Sequence, residues 1–399
     1  MTGARSREGL GRTPLIWLRY AQLGIVAFVI DGYAPTVQLL ARDLDIPMAL
    51  ASLHATAFGT GFIVGALVAP ALARRATRAR SIVIGSAGIA LGLGCYLMAS
   101  HLALTLLGIG LTGAFATLVQ SNAFADLSDQ PPVVRARLLN EGSALSQIAG
   151  VTAPVLVGIA SASMFGWRAG LAMAFVLVAG SLIANTLTSR RAAAAPPAAA
   201  SGEPGPRASF VIVWMGTILV LGIEFATALW APVWLHDAGG VDLALATASP
   251  TFMLLGMVIG RLALSRSPSR ISQDALLLGS ILLSIAGFFV LWLSPSSISG
   301  LAALFVIGLG VGGQFPLSLA RLVTASNHRA DTAAAASTMA LGLAIAAGPA
   351  ALALAEQLLG LGSAMLLIPA FGVAAIVLVL ASSFDLPRNA ARTQTRGAS

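Results

Sequence analysis

Apolar runs of roughly twenty residues, parted by short polar segments, recur along the whole chain. They fall near 15–37, 51–73, 81–99, 102–125, 137–162, 167–188, 209–234, 244–264, 274–293, 297–321, 331–356 and 362–384. A bilayer core about 30 Å thick takes ~20 apolar residues wound as a helix. Each run therefore predicts one membrane-spanning helix. The chain as a whole predicts an all-α integral membrane protein with twelve transmembrane helices. Turn residues at Pro131-Pro132, Ser294-Pro295 and Gly360 mark several of the breaks.

Ser189 to Arg207 is the one long polar, Pro/Ala/Gly-rich stretch, and it leaves six apolar runs on either side. Such a composition suits a flexible linker. The predicted organisation is a cytoplasmic N-terminal tail (1–14), a six-helix bundle (15–189), a cytoplasmic linker (190–207), a second six-helix bundle (208–385) and a cytoplasmic C-terminal tail (386–399). The halves resemble each other. Gly108, Gly110, Gly113 and Phe115 match Gly308, Gly310, Gly313 and Phe315 at a constant spacing of 200 residues. Ala153-Pro154 and Gly348-Pro349 stand in the helices that follow. Internal repeats with helix breakers in matching places are the build of secondary transporters.

Composition strengthens the membrane reading. The chain is 57% hydrophobic and 10% charged, where a soluble domain carries roughly 25% charge. Folded in water it would expose a large apolar surface. The net charge of +8 raises the question of nucleic acid, but all 23 basic residues are arginines clustered in the short segments between apolar runs. That is a topology signal. With the N-terminus inside, 21 arginines fall on cytoplasmic segments and only Arg42 and Arg168 fall outside. The absence of lysine beside abundant alanine and arginine suggests a GC-rich bacterial genome, hence a bacterial cytoplasmic membrane with both termini inside. Cys95 is the sole cysteine, so no intramolecular disulfide forms. The first apolar run is too long for a cleavable signal and ends in no small-residue cleavage site.

Two acids stand out because apolar residues surround them: Asp31 in FVIDGYAPT and Glu224 in LGIEFATALW. A charge near the bilayer centre costs about 2.5–3.5 kcal/mol on insertion scales. Each acid must therefore face a watery cavity, pair, or bind a proton, and desolvation favours the protonated form. Both lie in the first helix of their half, within about one turn of equivalent places. They are the candidates for proton coupling, against a structural reading in which a protonated acid merely links helices. Tyr33, Gln120, Asn122, Trp230 and Gln314 form the candidate solute pocket, aromatic faces for stacking and amides for hydrogen bonds. For the amides, helix–helix bonding is an equal alternative. Trp234 is read as an interfacial anchor or a further aromatic face.

Arg74, Asp126, Glu141, Arg261 and Arg321 lie near predicted cytoplasmic ends and are the candidate gating residues, with Asp331 as a further acid. The two G-x-G-x-x-G matches, GIGLTG and GLGVGG, lie inside apolar helical runs. A dinucleotide site needs that motif between a strand and a helix, so close helix packing is the better reading. The four histidines are scattered and no HExxH occurs, so no metal site, cofactor or enzymatic constellation is indicated.

GIGLTGAFATLVQSNAFAD, RARLLNEGSALSQIAGVTAPVL, GIEFATALWAPVWL, GMVIGRL and GLGVGGQFPLSLA together resemble the major facilitator superfamily, most of all its fucose-permease and sugar-permease-like branch. The resemblance implies two pseudo-symmetric six-helix bundles, alternating access and a central cavity, often with proton coupling. Fucose-permease relatives carry an acid in the fourth helix, where this chain has Gln120 and Asn122. The loop after the second helix departs as well, with Arg74 where the superfamily has an acid and Thr77 where it has glycine. AGVTAPVLVG resembles the antiporter motif of drug exporters, with Ala149 and Ala153 replacing glycines.

The leading expectation is a monomeric secondary-active transporter that moves a small polar organic solute, sugar-like among the candidates, by proton-coupled alternating access. Its partners would be the solute, protons and membrane lipid, with no nucleic acid. The alternatives are a proton-antiport exporter of drugs or metabolites and a non-transporting membrane sensor or scaffold.

Overall fold

The computed structural model describes residues 13–188, 208–266, 271–326 and 330–383. The predicted linker and C-terminal tail, and nearly all of the N-terminal tail, lie outside these residues. The described residues form fifteen helices. In the first half these are α1 (Pro14–Asp43), α2 (Met48–Ala51), α3 (Leu53–Arg75), α4 (Arg78–Met98), α5 (Leu102–Ser128), α6 (Pro132–Ser161) and α7 (Gly166–Thr188). In the second they are α8 (Ala208–Asp237), α9 (Leu243–Ala248), α10 (Pro250–Ser265), α11 (Gln273–Leu293), α12 (Ser297–Ala325), α13 (Ala330–Leu359), α14 (Leu361–Met365) and α15 (Leu367–Ser383). Among the described residues, twelve spans are long and apolar enough to cross a membrane. The predicted fold class therefore holds: in lipid, a helix satisfies its own backbone.

The differences lie at the starts of spans. The second and eighth spans each open with a short helix, α2 or α9, before the long one. Pro250 has no N–H to extend the α9 ladder and becomes the first residue of α10. Asp242 caps α9 by accepting from Ala244 and Leu245 N–H at 3.0 and 3.2 Å. Thr77, which stands where the superfamily loop has glycine, caps α4 by accepting from Arg80 N–H at 3.3 Å.

The two halves repeat at a spacing of 195 residues, not 200. Arg78–Met98 (α4) recurs as Gln273–Leu293 (α11), and Leu102 opens α5 as Ser297 opens α12. Packing agrees with this register. Gly61 and Gly65 of α3 would meet Gly110 and Ala114 of α5, while Gly256 and Gly260 of α10 would meet Phe305 and Leu309 of α12. Gly92 lies against Thr112 as Gly287 lies against Ile307. The glycine match at 200 is thus out of structural register. Gly108 faces α4, whereas Gly308 faces α10, because close helix crossings demand small residues on several faces of α5 and α12 and not one fixed motif.

By contact density the chain divides into two compact units: residues 13–33 with 61–188, and 34–60 with those from 208 on. Each unit carries a buried charged clamp. In the first, Arg19 Nε donates to Asp126 Oδ2 at 2.7 Å, and Arg78 donates to Asp126 Oδ1 at 3.3 Å and to Asp129. Arg19 also reaches Gln22 Oε1 at 2.8 Å and Asn185 Oδ1 at 3.3 Å, so α1, α4, α5 and α7 are tied together. In the second, Arg321 donates to Asp274, to Ser382 Oγ at 2.6 Å and to Val379 O at 3.2 Å, joining α11, α12 and α15. Asp126 and Arg321 are equivalent at the spacing of 195, and Arg78 and Asp274 sit within one residue of it. The repeat has kept the ion pair and inverted its sign.

Two outcomes follow. Gly92→Leu and Gly287→Leu should each cost roughly 1–3 kcal/mol through overpacking, read as a lower melting temperature in detergent. Gly180→Ala and Gly279→Ala, whose added carbon meets nothing within 4 Å, should melt like the parent. Asp126→Ala leaves Arg19, 3% exposed, without its carboxylate, and should cost on the order of 3 kcal/mol. An unchanged melting temperature for Asp126→Ala would refute the clamp.

Candidate functional site

Prolines inside helices decide where the backbone has carbonyls to spare. Proline lacks an N–H and so releases the carbonyl four residues before it. Pro35 in α1 releases that of Asp31, Pro154 in α6 that of Gly150, and Pro316 in α12 that of Gly312. In lipid such a carbonyl needs another donor.

In the second unit that donor is visible. Arg261 Nε of α10 donates to Gly312 O at 3.2 Å. Arg261 is also close enough for its charge to act on Glu224 of α8, which is partly buried. The side chain read from sequence as a cytoplasmic gate thus neighbours the candidate coupling acid. Gln314, two residues after the same glycine, is 1% exposed and donates to Ser284 Oγ at 2.9 Å, while its Oε1 has no partner. Trp230 is fully buried, and its indole N–H donates to Pro349 O at 3.1 Å. Trp214, Trp234 and Trp292 likewise donate to backbone carbonyls, of Ala336, Leu291 and Gly362. A shallow crevice of this unit, lined by Gly216, Thr217, Ser318 and Arg321 among others, does not include Glu224 or Arg261.

In the first unit Asp31 is partly buried in α1 and lies against Gly150 of α6. Tyr33 is 2% exposed and within electrostatic reach of Asp31 and Tyr96. Asn122 donates to Leu118 O of its own helix at 2.8 Å, and the buried Gln120 Oε1 has no partner. Glu141 of α6 accepts from Tyr20 Oη at 3.0 Å and from Arg137 Nε at 2.8 Å. Asp126 and Arg321 are the centres of the two clamps. The side chains of Arg74 and Asp331 lie outside those described.

The structure therefore groups Glu224 with Arg261 in one unit and Asp31 with Tyr33 in the other. At the spacing of 195, Glu224 corresponds to Val29, two positions before Asp31. Two positions are about 200° around a helix, so the acids share a level but not a face. Sequence reading missed Arg19, Arg78, Asp274 and Asn185. The available signal was Arg19 itself, an arginine inside an apolar run.

Comparisons with known proteins agree with this architecture. The nucleoside transporter NupG superposes with a TM-score of 0.74 at 13% identity, covering 92% of this chain and 99% of its own. The peptide transporter POT in complex with sulfate gives 0.75 at 14% identity, covering 95% of both chains. A bacterial homolog of the human lysosomal transporter Spinster, inward-facing and unoccupied, gives 0.68 at 16%, covering 97% of this chain and 98% of that one. At these identities the likeness is one of fold. No curated protein sequence matches the chain. The family model of the major facilitator superfamily matches residues 21–349. With twelve spans in two repeated halves, the chain is a multi-pass membrane protein that belongs to the major facilitator superfamily, a family of transporters and not of enzymes.

Proposed function

We propose that this chain is a secondary-active transporter that moves a small polar organic solute by proton-coupled alternating access, in a bacterial cytoplasmic membrane with both termini inside. The observation that carries the proposal is the pair of acids, Asp31 and Glu224, on the first helix of each half and part-buried among apolar residues. An ionised carboxylate there opposes any step that removes water from it. Protonation removes that cost, so proton binding and closure become linked.

The two acids take different parts. Glu224 lies in the field of Arg261, so its ionised form has a cation to answer it. Losing that charge by protonation frees Arg261 to answer an anionic or hydroxyl-bearing solute group instead. Gln314, with a side-chain carbonyl oxygen unpaired in the membrane interior, supplies an acceptor for solute hydroxyls or amines in the second unit, and Gln120, with the same, supplies one in the first. Sugar-like molecules are the first class to test, given the sequence resemblance to the sugar-permease branch. The solute is to be found by a thermal-shift screen of sugars, organic anions and antibiotics, because a ligand that binds only the folded state raises its apparent stability.

Export by proton antiport is the second reading. It is favoured by the small-residue face of α6, where Ala149 and Ala153 lie against Gly24 and Gly32 of α1 with an added carbon only 3.3 and 3.0 Å away. This is the stretch that resembles the antiporter motif.

Glu224→Gln and Asp31→Asn, reconstituted in vesicles with a solute from the screen, should lose uphill movement while retaining solute exchange at equal proton concentration. Both variants concentrating the solute like the parent would remove the coupling scheme.

A further inference from the structure

Small residues line the seam between α1 and α6. Gly24 would place an added carbon 3.3 Å from Ala149 Cβ, and Gly32 would place one 3.0 Å from Ala153 Cβ and 3.1 Å from Leu171 Cδ1. These are tight but tolerable apolar contacts. Between them, a carbon on Gly150 would overlap the Asp31 carboxylate at Oδ2, and would stand 3.7 Å from Ala27 Cβ. The room that Gly150 leaves is thus occupied by the carboxyl group itself. An acid one turn beyond Ala27 lies directly on the backbone of the neighbouring helix.

That stretch of backbone is chemically unusual. Pro154 lacks the N–H that would bond the Gly150 carbonyl, and Pro35 lacks the one that would bond the Asp31 carbonyl. One carbonyl without a ladder donor therefore belongs to the glycine on which the carboxyl rests, and another to the acid's own residue. A protonated carboxyl has one O–H to donate, and an ionised one has none. The second unit shows the same economy with a different donor, where Arg261 Nε serves the carbonyl that Pro316 releases at Gly312.

We propose that Gly150 is a positioning residue for Asp31: its missing side chain is the seat of the carboxyl, and the Gly150 carbonyl that Pro154 releases is the acceptor offered to the carboxyl O–H. This rests on the reading of Asp31 as a coupling acid. It adds that the backbone of α6 at Gly150 seats the acid. In the AGVTAP stretch, position 150 is then the one that acts on the chemistry, while Ala149 and Ala153 serve packing.

A four-member cycle of purified, ligand-free protein tests it: parent, Gly150→Ala, Asp31→Ala and the double variant. Gly150→Ala should lower the melting temperature by several degrees in the parent. In the Asp31→Ala background the loss should shrink to less than half, because the colliding carboxyl is gone. A parent-like Gly150→Ala, or an equal loss in both backgrounds, overturns the proposal. The second readout is the infrared carboxyl C=O band that Asp31→Asn removes. Gly150→Ala should shift it, since the O–H loses its acceptor. A band that does not move, or that the parent lacks, also overturns the seat. Should Asp31→Asn still concentrate solute, the coupling reading fails while the stability cycle still reports on the seat.

Discussion

The bilayer interior offers no hydrogen-bond partner, so every polar group placed there must be answered by the chain itself. Most features of this protein follow from that constraint. It makes each span a helix. It sends the indole N–H of Trp214, Trp230, Trp234 and Trp292 onto backbone carbonyls. It makes the interior prolines consequential, because each one leaves a carbonyl for some other group to answer. It also explains why Arg19, Arg261 and Arg321 each answer an acid or a backbone carbonyl.

The same constraint separates the clamp charges from the charges proposed to work in transport. Arg19 with Asp126, and Arg321 with Asp274, are answered by several partners on three or more helices and fasten each half. Within them, the Arg78–Asp126 pair recurs at about 195 residues as Asp274–Arg321 with the signs exchanged. Asp31 and Glu224 are placed differently. One rests on a glycine whose carbonyl is released, and the other shares its surroundings with an arginine that already serves a carbonyl. Under the proposed coupling, gain or loss of a proton at groups so placed would change what their surroundings must answer.

The fold was legible because hydropathy is a property of long windows: twelve runs became twelve spans. Short helices such as α2 and α9 were not, since Ser52 and Pro250 break a span without making it polar. The repeat was legible but in the wrong register. Glycines recur in α5 and α12 on several faces, so a match at 200 residues looked as good as the packing register of 195. Asp31 and Glu224 could be found from sequence because a lone acid in an apolar run is conspicuous. Their surroundings could not, because Gly150 and Arg261 lie far away in the chain and are ordinary in their own segments. Trp230 shows the limit in another way: its aromatic ring suited a pocket, yet its N–H and its full burial belong to the packing of α8 against Pro349.

The central claim is that protons drive solute through this chain. The most direct measurement uses the parent protein in sealed vesicles, with a solute identified by thermal shift and an imposed proton gradient of either sense. Solute should concentrate on one side under one sense of the gradient, and the concentration ratio should return to one when a protonophore is added. A ratio that stays at one under both gradients, or an accumulation that the protonophore leaves intact, would contradict proton coupling.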